Sequence, residues 1–298
     1  MNVGIIGNGP WGQALATLAA KAGNQPRIGF RGARPTGFPG TPNLSALAAS
    51  SDLLLIAVRA SSMREVVETI EWDAGMRVVL ATRGLAPDTG EWLSDLILKN
   101  TPCRRVGALS GPAVASEVVA GRPTALVIAS PFDEVCEATQ RAFHSEQCRI
   151  YTSQDLRGVE LAGAMVHVLG VALGIAEGVD MGVGARGVIV TRGLAEATRL
   201  GEALGAHPKT FSGLAGVGDL VSCASSPHHP SQEAGRLAAR GESVLAHVLD
   251  ETRSVLAIAG RMGVDMPLTE AVLSMATGDM GPKLAFDHLM RRSARSED

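Results

Sequence analysis

Short apolar runs alternate with amphipathic segments along the first half of the chain. The apolar runs predict strands at residues 2–6, 27–30, 53–58, 77–81, 105–109 and 124–129. The amphipathic segments predict helices at residues 12–22, 44–49, 63–70, 90–98, 113–119 and 133–143. Strands that alternate with helices are typical of βαβ units around a parallel sheet. Several of these strands are apolar on both faces, as strands covered by helices on both sides must be.

The pattern changes after Asp155, where helical periodicity dominates. Helices are predicted at residues 156–177, 185–204, 230–239, 245–262 and 267–277, with breaks between them that contain glycine or proline. No strand signal of comparable quality follows. We therefore expect an α/β domain over residues 1–153 and an all-α domain over residues 154–298.

The composition indicates a folded chain and disfavours nucleic acid and membranes as partners. Of its 298 residues 46% are hydrophobic and 19% are charged, which excludes a disordered chain. A net charge of −3 and an aromatic content of 3% give little to hold a polyanion or to stack on bases. The longest uncharged apolar stretch, residues 161–176, is shorter than the ~20 residues of a membrane span and contains His167. It predicts a buried core helix.

Compartment and assembly are expectations from weaker signals. The four cysteines are scattered, without the spacing of a metal site or a disulfide framework. The chain begins with a strand-like run that lacks the basic segment of a secretory signal. A reduced, metal-free, cytoplasmic protein fits both observations. The apolar helical half makes a homodimer the expected assembly.

A glycine-rich turn joins the first predicted strand to the first predicted helix. Its residues form the GxGxxG sequence in the strand–turn–helix setting that this motif requires: Gly7, Asn8, Gly9, Pro10, Trp11 and Gly12. The first glycine permits the tight turn, the second lets the backbone approach a pyrophosphate, and the third lets the helix pack closely on the strand. The helix N-terminus then offers free N–H groups to the phosphates. The motif predicts a dinucleotide site, and an ordinary glycine-rich turn is the alternative.

The residues after the second strand bear on which dinucleotide binds. Arg31 and Arg34 lie where a site for NAD usually places a carboxylate and a site for NADP supplies arginine. Residues 13–51 contain no acidic side chain. We therefore expect NADP, with NAD as the alternative, although two arginines of a surface loop could simply be solvated.

Six further motifs carry a resemblance to a known family. They are ATRGL at residues 81–85, SGP at 110–112, AGRPTA at 120–125, GVGARGVIVTRGLAE at 182–196, GLAGVGDL at 213–220 and GVDMPLTE at 263–270. Together with the glycine-rich turn, they resemble the bacterial type of NAD(P)-dependent glycerol-3-phosphate dehydrogenase in order and spacing. The resemblance covers nearly the whole chain, and TRGLAE and GVGDL are more specific than the glycine-rich turn.

The resemblance implies a Rossmann domain followed by an all-α domain like the C-terminal domain of 6-phosphogluconate dehydrogenase, with a cleft between them. The implied reaction is reversible hydride transfer between a nicotinamide and a small carbonyl or alcohol, such as dihydroxyacetone phosphate and glycerol 3-phosphate. It also implies that Val58, Arg83 and Ala115 contact the cofactor. Arg83, Ser110, Gly111 and Asp219 are the implied substrate-binding residues, although Ser-Gly-Pro could be only a turn and Asp219 only a helix cap.

The sequence departs from the family at the chemistry. The family's catalytic lysine lies in a GG-x-x-K-N run, whose matching residues here place Val166 at the lysine and His167 at the asparagine. Arg83 replaces a second lysine of the family, which changes a compact ammonium into a planar fork. The family's Ser-Arg-Asn run for the substrate phosphate is absent from the sixteen residues after Asp219, which read LVSCASSPHHPSQEAG.

These departures leave two hypotheses. In one, His167 replaces lysine as the acid or base, with Glu160 two helical turns earlier as its partner and Asp219 beside it. A hydrogen-bonded core histidine and a solvated glutamate are the plainer interpretations of His167 and Glu160. In the other hypothesis, the chain reduces a different substrate or is an inactive nucleotide-binding protein. A coherent set of polar groups in the cleft would favour an enzyme, and an apolar cleft would favour the binding protein.

Overall fold

An eight-stranded sheet is built by the first half of the chain. The computed structural model describes residues 1–87, 89–226, 229–242 and 246–285. The strands are β1 (Asn2–Ile6), β2 (Gln25–Gly29), β3 (Gly40–Thr41), β4 (Leu53–Ile56), β5 (Arg77–Leu80), β6 (Arg105–Ser110), β7 (Thr124–Ala129) and β8 (Cys148–Ser153). Their order is β3-β2-β1-β4-β5-β6-β7-β8, and neighbours run parallel except β6 and β7. The strand order reverses beside β1, which is where α/β sheets of the Rossmann type bind their ligands.

Helices connect the strands and then form the second half of the chain. Between the strands lie α1 (Pro10–Lys21), α2 (Leu44–Ala49), α3 (Met63–Thr69), α4 (Leu93–Asn100), α5 (Ala115–Val119) and α6 (Asp133–Phe143). The second half contains α7 (Leu156–Gly178), α8 (Gly182–Ala203), α9 (Pro208–Ser212), α10 (Asp219–Ser225), α11 (Pro230–Ala239), α12 (Ala246–Met262) and α13 (Pro267–Thr277). A π-helical turn, Leu214–Gly218, leads into α10. An α/β Rossmann fold followed by helices is confirmed.

The two faces of the sheet belong to two hydrophobic cores, because successive side chains of a strand point to opposite faces. Leu55 and Val79 belong to the core that contains residues of α1 and α6. Ile56 and Leu80 belong to the core that contains residues of α7. The helix α7 therefore shares a core with one face of the sheet. The last residues of β4 and β5 belong to that core.

The helix α7 is a core helix, as the sequence predicts. It is long and apolar enough to cross a membrane, with a mean hydropathy of 1.9 over its most apolar window, but 94% of that window is buried inside the protein. The side chain of Asp155 accepts a hydrogen bond from the backbone N–H of Gly158 at 2.9 Å and so caps the helix.

Glycines bring α7 and α11 into backbone contact. A Cβ at Gly174 would overlap the backbone of Gln232, and a Cβ at Gly235 would overlap the carbonyl oxygen of Val171. Larger residues would push the helices apart. This packing fixes α11, and with it His229 just before that helix, against α7, which carries His167.

The structure differs from the predicted elements in four places. The two-residue strand β3 was not predicted. β7 runs antiparallel to β6, whereas the sequence predicts a parallel sheet throughout. β8 was not predicted, because Arg149 and Tyr151 alternate with buried residues in an edge strand that is only half apolar. α9 and α10 were also missed, because the glycines of GLAGVGDL indicate a break, whereas the chain continues there through a π-helical turn.

Candidate active site

The glycine-rich turn has the geometry that a dinucleotide requires. Gly7 has a φ of 123°, and a Cβ at Gly12 would overlap the carbonyl oxygen of Gly7, so both positions need glycine. A Cβ at Gly9 would meet nothing within 4 Å, which leaves open space beside this backbone. No side chain caps α1, and Pro10 occupies its first turn. Free N–H groups at the helix N-terminus therefore fit the pyrophosphate of a dinucleotide.

Asn8 and Trp11 hold the turn in place with their side chains. Nδ2 of Asn8 donates a hydrogen bond to the carbonyl oxygen of Ala33 at 2.9 Å, and its Oδ1 accepts one from Nε2 of Gln13 at 2.5 Å. Nε1 of Trp11 donates to the carbonyl oxygen of Ala81 at 3.1 Å, at the end of β5. These bonds join the turn to the loop after β2 and to the neighbouring part of the sheet.

The arginines after β2 lie at the surface, and one of them has an acidic partner. Arg31 forms an ion pair with Glu65 of α3. Arg34 is exposed. Residues 13–51 contain no acidic side chain, but the carboxylate of Glu65 reaches the loop after β2 from α3. The local sequence therefore did not indicate this ion pair.

Val58 and Ala115 lie beside the same edge of the sheet. Val58 follows β4, and a Cβ at Gly7 would lie 3.4 Å from its Cγ1. Its carbonyl oxygen accepts a hydrogen bond from Oγ1 of Thr82 at 2.9 Å. Ala115 is the first residue of α5, which packs against α1. Both residues are half-buried, and their contact with a cofactor stays a prediction.

Four residues from three motifs, Arg83, Ser110, Gly111 and Asp219, meet at the carboxyl ends of β5 and β6. Nη2 of Arg83 lies 2.8 Å from Oδ2 of Asp219 and donates to the carbonyl oxygen of Gly111 at 3.1 Å. Oγ of Ser110 donates to the same Oδ2 at 3.4 Å. Gly163 of α7 lies against the arginine stem, since a Cβ there would be 3.4 Å from Cγ of Arg83. The structure thus brings the predicted substrate-binding residues together, and their roles stay a prediction.

The Asp219 carboxyl group is buried at the centre of this cluster. Burial raises its pKa above the usual range, while Arg83, His167, Ser110 and the backbone N–H of Gly111 oppose that rise. The Arg83 guanidinium therefore opposes the effect of burial on the Asp219 carboxyl group, with which it pairs near the end of β5.

A second pair joins α7 and α12. Nδ1 of His167, on α7, lies 2.9 Å from Oε2 of Glu251, on α12. The side chain of His167 is 34% exposed, whereas that of Glu251 is 10% exposed. Burial, the largest effect, lowers the pKa of His167, but the charge of Glu251 and its hydrogen bond outweigh burial, so the net pKa is raised.

The Glu251 carboxylate packs against the loop after β5. Oε1 of Glu251 is buried and has no hydrogen-bond partner among the residues that the structure describes. Gly84 has a φ of 98°, which favours glycine, and a Cβ there would overlap this oxygen, so the Glu251 carboxylate would have to shift. Arg83 and Gly84 thereby contact one carboxylate each, Asp219 and Glu251 respectively.

His229 stands near the same charges and is neutral. Its Nδ1 accepts a hydrogen bond from the backbone N–H of Ser231 at 3.3 Å, which caps α11. Burial, together with the nearby charges of His167 and Arg83, lowers the pKa of His229 to about 4. Its proton therefore lies on Nε2 at neutral pH, and it can only donate there.

The expected pairing of Glu160 with His167 is wrong. Seven residues along α7 correspond to a rise of about 10.5 Å, which is too far for a hydrogen bond even on the same face. Oε1 of Glu160 accepts from the backbone N–H of Ser94 at 3.0 Å and Oε2 accepts from its hydroxyl at 2.7 Å. Nη1 of Arg157 donates to Oε2 at 3.3 Å. Glu160 is thus buried at the N-terminus of α4, to which it ties α7.

Comparison with known proteins identifies the family. The sequence profile described as NAD-dependent glycerol-3-phosphate dehydrogenase C-terminus matches residues 155–287, and the N-terminus profile matches residues 31–136. This chain belongs to the NAD-dependent glycerol-3-phosphate dehydrogenase family. The family predicted from the motifs is therefore confirmed.

Relatives match the chain over its whole length. It is 37% identical to glycerol-3-phosphate dehydrogenase (NAD(P)+) 1 of Salinibacter ruber, over 100% of this chain and 97% of that protein. It is 38% identical to glycerol-3-phosphate dehydrogenase (NAD(P)+) of Methylibium petroleiphilum, over 100% and 98%. The crystal structure of glycerol-3-phosphate dehydrogenase from Coxiella burnetii has a TM-score of 0.88 at 28% identity, over 98% of this chain and 99% of that chain.

Val166, which the motif resemblance matches to the family's catalytic lysine, is an apolar residue in this chain. Val166 is 2% exposed and belongs to the core that α7 shares with the sheet. It has no group that can donate a proton. His167, the next residue, is the titratable side chain of this helix that meets the Arg83 and Asp219 charges.

One family motif proves to be structural. Glu196, the last residue of TRGLAE, accepts hydrogen bonds from the backbone N–H groups of Leu268 and Thr269 at 2.6 and 3.1 Å. It also accepts one from Oγ1 of Thr269 at 2.9 Å. The carboxylate thereby caps α13 and joins it to α8.

The sequence reasoning missed Glu251, Glu65 and His229. Glu251 and Glu65 come from elements far along the chain from their partners His167 and Arg31, so no local spacing indicates these contacts. His229 caps α11 through Ser231, and only the fold brings it near the charges of His167 and Arg83. Glu251 on α12 and Gly84 after β5 indicate a shared site only once the fold shows that they are in contact. Within the described residues, no three His, Cys, Asp or Glu side chains are grouped as metal ligands would be.

Proposed function

We propose that this chain is an NAD(P)-dependent oxidoreductase that interconverts a small carbonyl compound and its alcohol, with dihydroxyacetone phosphate and glycerol 3-phosphate as the first pair to test. The observation that carries the proposal is the set of polar groups at the carboxyl edge of the sheet. The Arg83–Asp219 and His167–Glu251 pairs lie there, around the loop after β5, which is two strands away from β1 in the sheet. An apolar cleft would have favoured an inactive binding protein.

The glycine-rich turn and the loops beside it would hold the cofactor. Gly9 would give the pyrophosphate its approach, and Arg31 and Arg34 would meet the adenosine end, which favours NADP over NAD. Val58, Arg83 and Ala115 would line the nicotinamide side. When bound, the reduced nicotinamide supplies a hydride to the carbonyl carbon of the substrate.

The paired side chains would position and protonate the substrate. Arg83, held by Asp219 and by the carbonyl oxygen of Gly111, presents its remaining N–H groups as donors to a substrate oxygen. Ser110 stands at the same carboxylate. We assign the proton donor to His167, because Val166 has no proton to give and Nε2 of the half-buried imidazole remains for the substrate.

The experiment is NADPH and NADH oxidation by the purified protein with dihydroxyacetone phosphate, against a control without substrate. The Gly9→Ala variant should raise the Kd for NADPH at least about tenfold, or about 1.4 kcal/mol, because the new methyl group enters space left for the cofactor. Gly260→Ala is the matched control, since its Cβ also meets nothing within 4 Å but lies on α12. Equal Kd values for both variants would contradict the cofactor site.

A different small carbonyl compound is the second candidate substrate. Arg83 and His167 each face a carboxylate, at 2.8 and 2.9 Å, so these cations are already partly neutralised before a phosphate arrives. Dihydroxyacetone without phosphate is therefore assayed beside its phosphate. Faster oxidation of NADPH with the uncharged ketone would favour the second candidate. A folded protein that binds NADPH and turns over neither ketone would favour an inactive nucleotide-binding protein.

Organisation and location complete the proposal. We place the domain boundary between residues 153 and 154, where β8 ends and before α7 begins. A cytoplasmic homodimer without nucleic-acid or membrane partners is proposed. The exposed apolar side chains of Val183 and Val188 on α8 support a contact between copies. Sedimentation of the wild type and of Val183→Lys would test it, since a dimer that uses this face should dissociate in the variant.

A further inference from the structure

We propose that Glu251 is the positioning residue of this site: it holds His167 in one orientation and keeps it protonated, so that Nε2 donates the proton during carbonyl reduction. The proposal rests on the proposed function and assigns the orienting task to α12 rather than to α7. It replaces the partner that the sequence suggested, because Glu160 is occupied at the N-terminus of α4.

The geometry of the pair fixes which nitrogen is used. Oε2 of Glu251 lies 2.9 Å from Nδ1 of His167, so Nδ1–H donates to the carboxylate. The other ring nitrogen, Nε2, is then the one that can exchange a proton with a ligand. Glu251 is nearly buried, whereas a third of the His167 side chain is exposed. The pair therefore has an anchored end and an accessible end.

The second carboxylate oxygen of Glu251 supports a positive charge on His167. Oε1 of Glu251 is buried against the backbone of Gly84 and, within the described part of the chain, has no hydrogen-bond partner. A buried carboxylate with an unsatisfied oxygen is costly unless an opposite charge stands beside it. Protonated His167 is that charge. The glycine at position 84 admits the carboxylate, since any side chain there would overlap Oε1.

Other charged groups around His167 act in opposite directions. Arg83, from the loop after β5, lowers the pKa of His167, and Asp219, from α10, raises it. His229, which precedes α11, is neutral at pH 7 because its own pKa is lowered to about 4. Burial also lowers the pKa of His167. Glu251 is the carboxylate in direct contact, and without it the net rise would be lost.

The proton balance of the step is complete within the site. As the carbonyl carbon accepts the hydride, the Nε2–H bond of His167 breaks and an O–H bond forms on the substrate. The carbonyl compound is reduced to an alcohol and the NAD(P)H is oxidised to NAD(P)+. His167 is left neutral, Glu251 stays a carboxylate throughout, and solvent restores the proton through the exposed part of the imidazole.

Glu251→Gln tests the proposal, because glutamine keeps the size and an oxygen for Nδ1–H but removes the charge. The pKa of His167 is measured by NMR titration of the protein without substrate, with the signal assigned by its loss in His167→Gln. We expect that pKa to fall by at least about one unit, which is a tenfold change in the protonation equilibrium. Glu202→Gln, at an exposed position near the end of α8, is the matched control and should leave the pKa unchanged.

Turnover gives the second readout. In Glu251→Gln the decline of the reduction rate with rising pH should begin at lower pH, and the rate at low pH should approach that of the wild type. A merely structural role would lower the rate equally at every pH. Glu251→Asp keeps the charge and should restore much of the rise in the His167 pKa. If Glu251→Gln does not fold, the pKa of His167 is measured in Glu251→Asp instead.

The outcomes separate this proposal from the proposed function. An unchanged His167 pKa in Glu251→Gln overturns the positioning role, whatever the activity. A lowered pKa with a protein that reduces neither ketone supports the pair but refutes the oxidoreductase activity. A lowered pKa with an unmoved pH–rate profile overturns the role of the pair in catalysis.

Discussion

At the scale of single residues, the site is organised by two pairs, each of which joins a basic side chain to a carboxyl group. Arg83 faces Asp219, and His167 faces Glu251. Burial alone would weaken the charge on Asp219 and on His167, since it raises the pKa of the first and lowers that of the second. Pairing opposes burial at both places. The apolar Val166 therefore does not leave the site without a titratable group.

The ion pair of His167 makes stability depend on pH. The folded-state pKa of His167 is raised above its ordinary value, so the pair contributes its full stability below about pH 6.5 and loses it as pH rises through the folded pKa. The difference in Tm between the wild type and His167→Gln should therefore be larger near pH 6 than near pH 9. Thermal unfolding at both pH values measures it, and a difference that is constant with pH would contradict the raised pKa.

Glu65 should influence the choice between the two dinucleotides. Glu65→Gln removes the carboxylate that pairs with Arg31 and frees the guanidinium for a 2′-phosphate. Because exposed ion pairs contribute about 0–1 kcal/mol, the ratio of NADH to NADPH Kd values should rise by a factor of about two to five. Fluorescence titration with each cofactor measures the ratio. Glu68→Gln, exposed on the same helix, is the control. A ratio that stays the same in Glu65→Gln would show that Arg31 does not read the phosphate.

At the scale of elements, the sequence predicted most helices and strands because their periodicity is local. Asn2–Ile6, Leu44–Ala49, Thr124–Ala129, Asp133–Phe143, Pro230–Ala239 and Pro267–Thr277 have the predicted bounds. The predicted direction of β7 was wrong, because the sequence of an apolar strand buried on both faces does not distinguish parallel from antiparallel pairing. The π-helical turn before Asp219 was missed, because glycines there indicate a break.

The contact between α7 and α11 depends on Gly174. Gly174→Ala should destabilise the protein by about 1–3 kcal/mol or more, because its methyl group would overlap the backbone of Gln232. Gly187→Ala is the matched control on α8, where a Cβ meets nothing within 4 Å, and it should be neutral or stabilising by up to about 1 kcal/mol. Denaturant unfolding compares the two variants. Equal stabilities would contradict the close packing of the two helices.

At the scale of the whole molecule, the site exists only where the two halves of the chain meet. Arg83 and Gly84 come from the loop after β5, His167 from α7, Asp219 from α10 and Glu251 from α12. Family motifs could predict Arg83, Ser110, Gly111 and Asp219 as a group, because the family places them in one cleft. Glu251 could not be predicted, because its contact depends on how α12 crosses α7 rather than on any spacing in the sequence. For the same reason, helical spacing suggested Glu160, which the fold directs to Ser94.

The most direct test of the account is the rate of NADPH oxidation with dihydroxyacetone phosphate near pH 7, for the wild type and for His167→Gln. We expect turnover by the wild type and a loss of about 10²–10⁴-fold in the variant, which is the usual contribution of a general acid. The Kd for NADPH should be the same in both proteins, because His167 does not belong to the glycine-rich turn. A variant as fast as the wild type, or a folded wild type that binds NADPH and does not oxidise it with this ketone, would contradict the account.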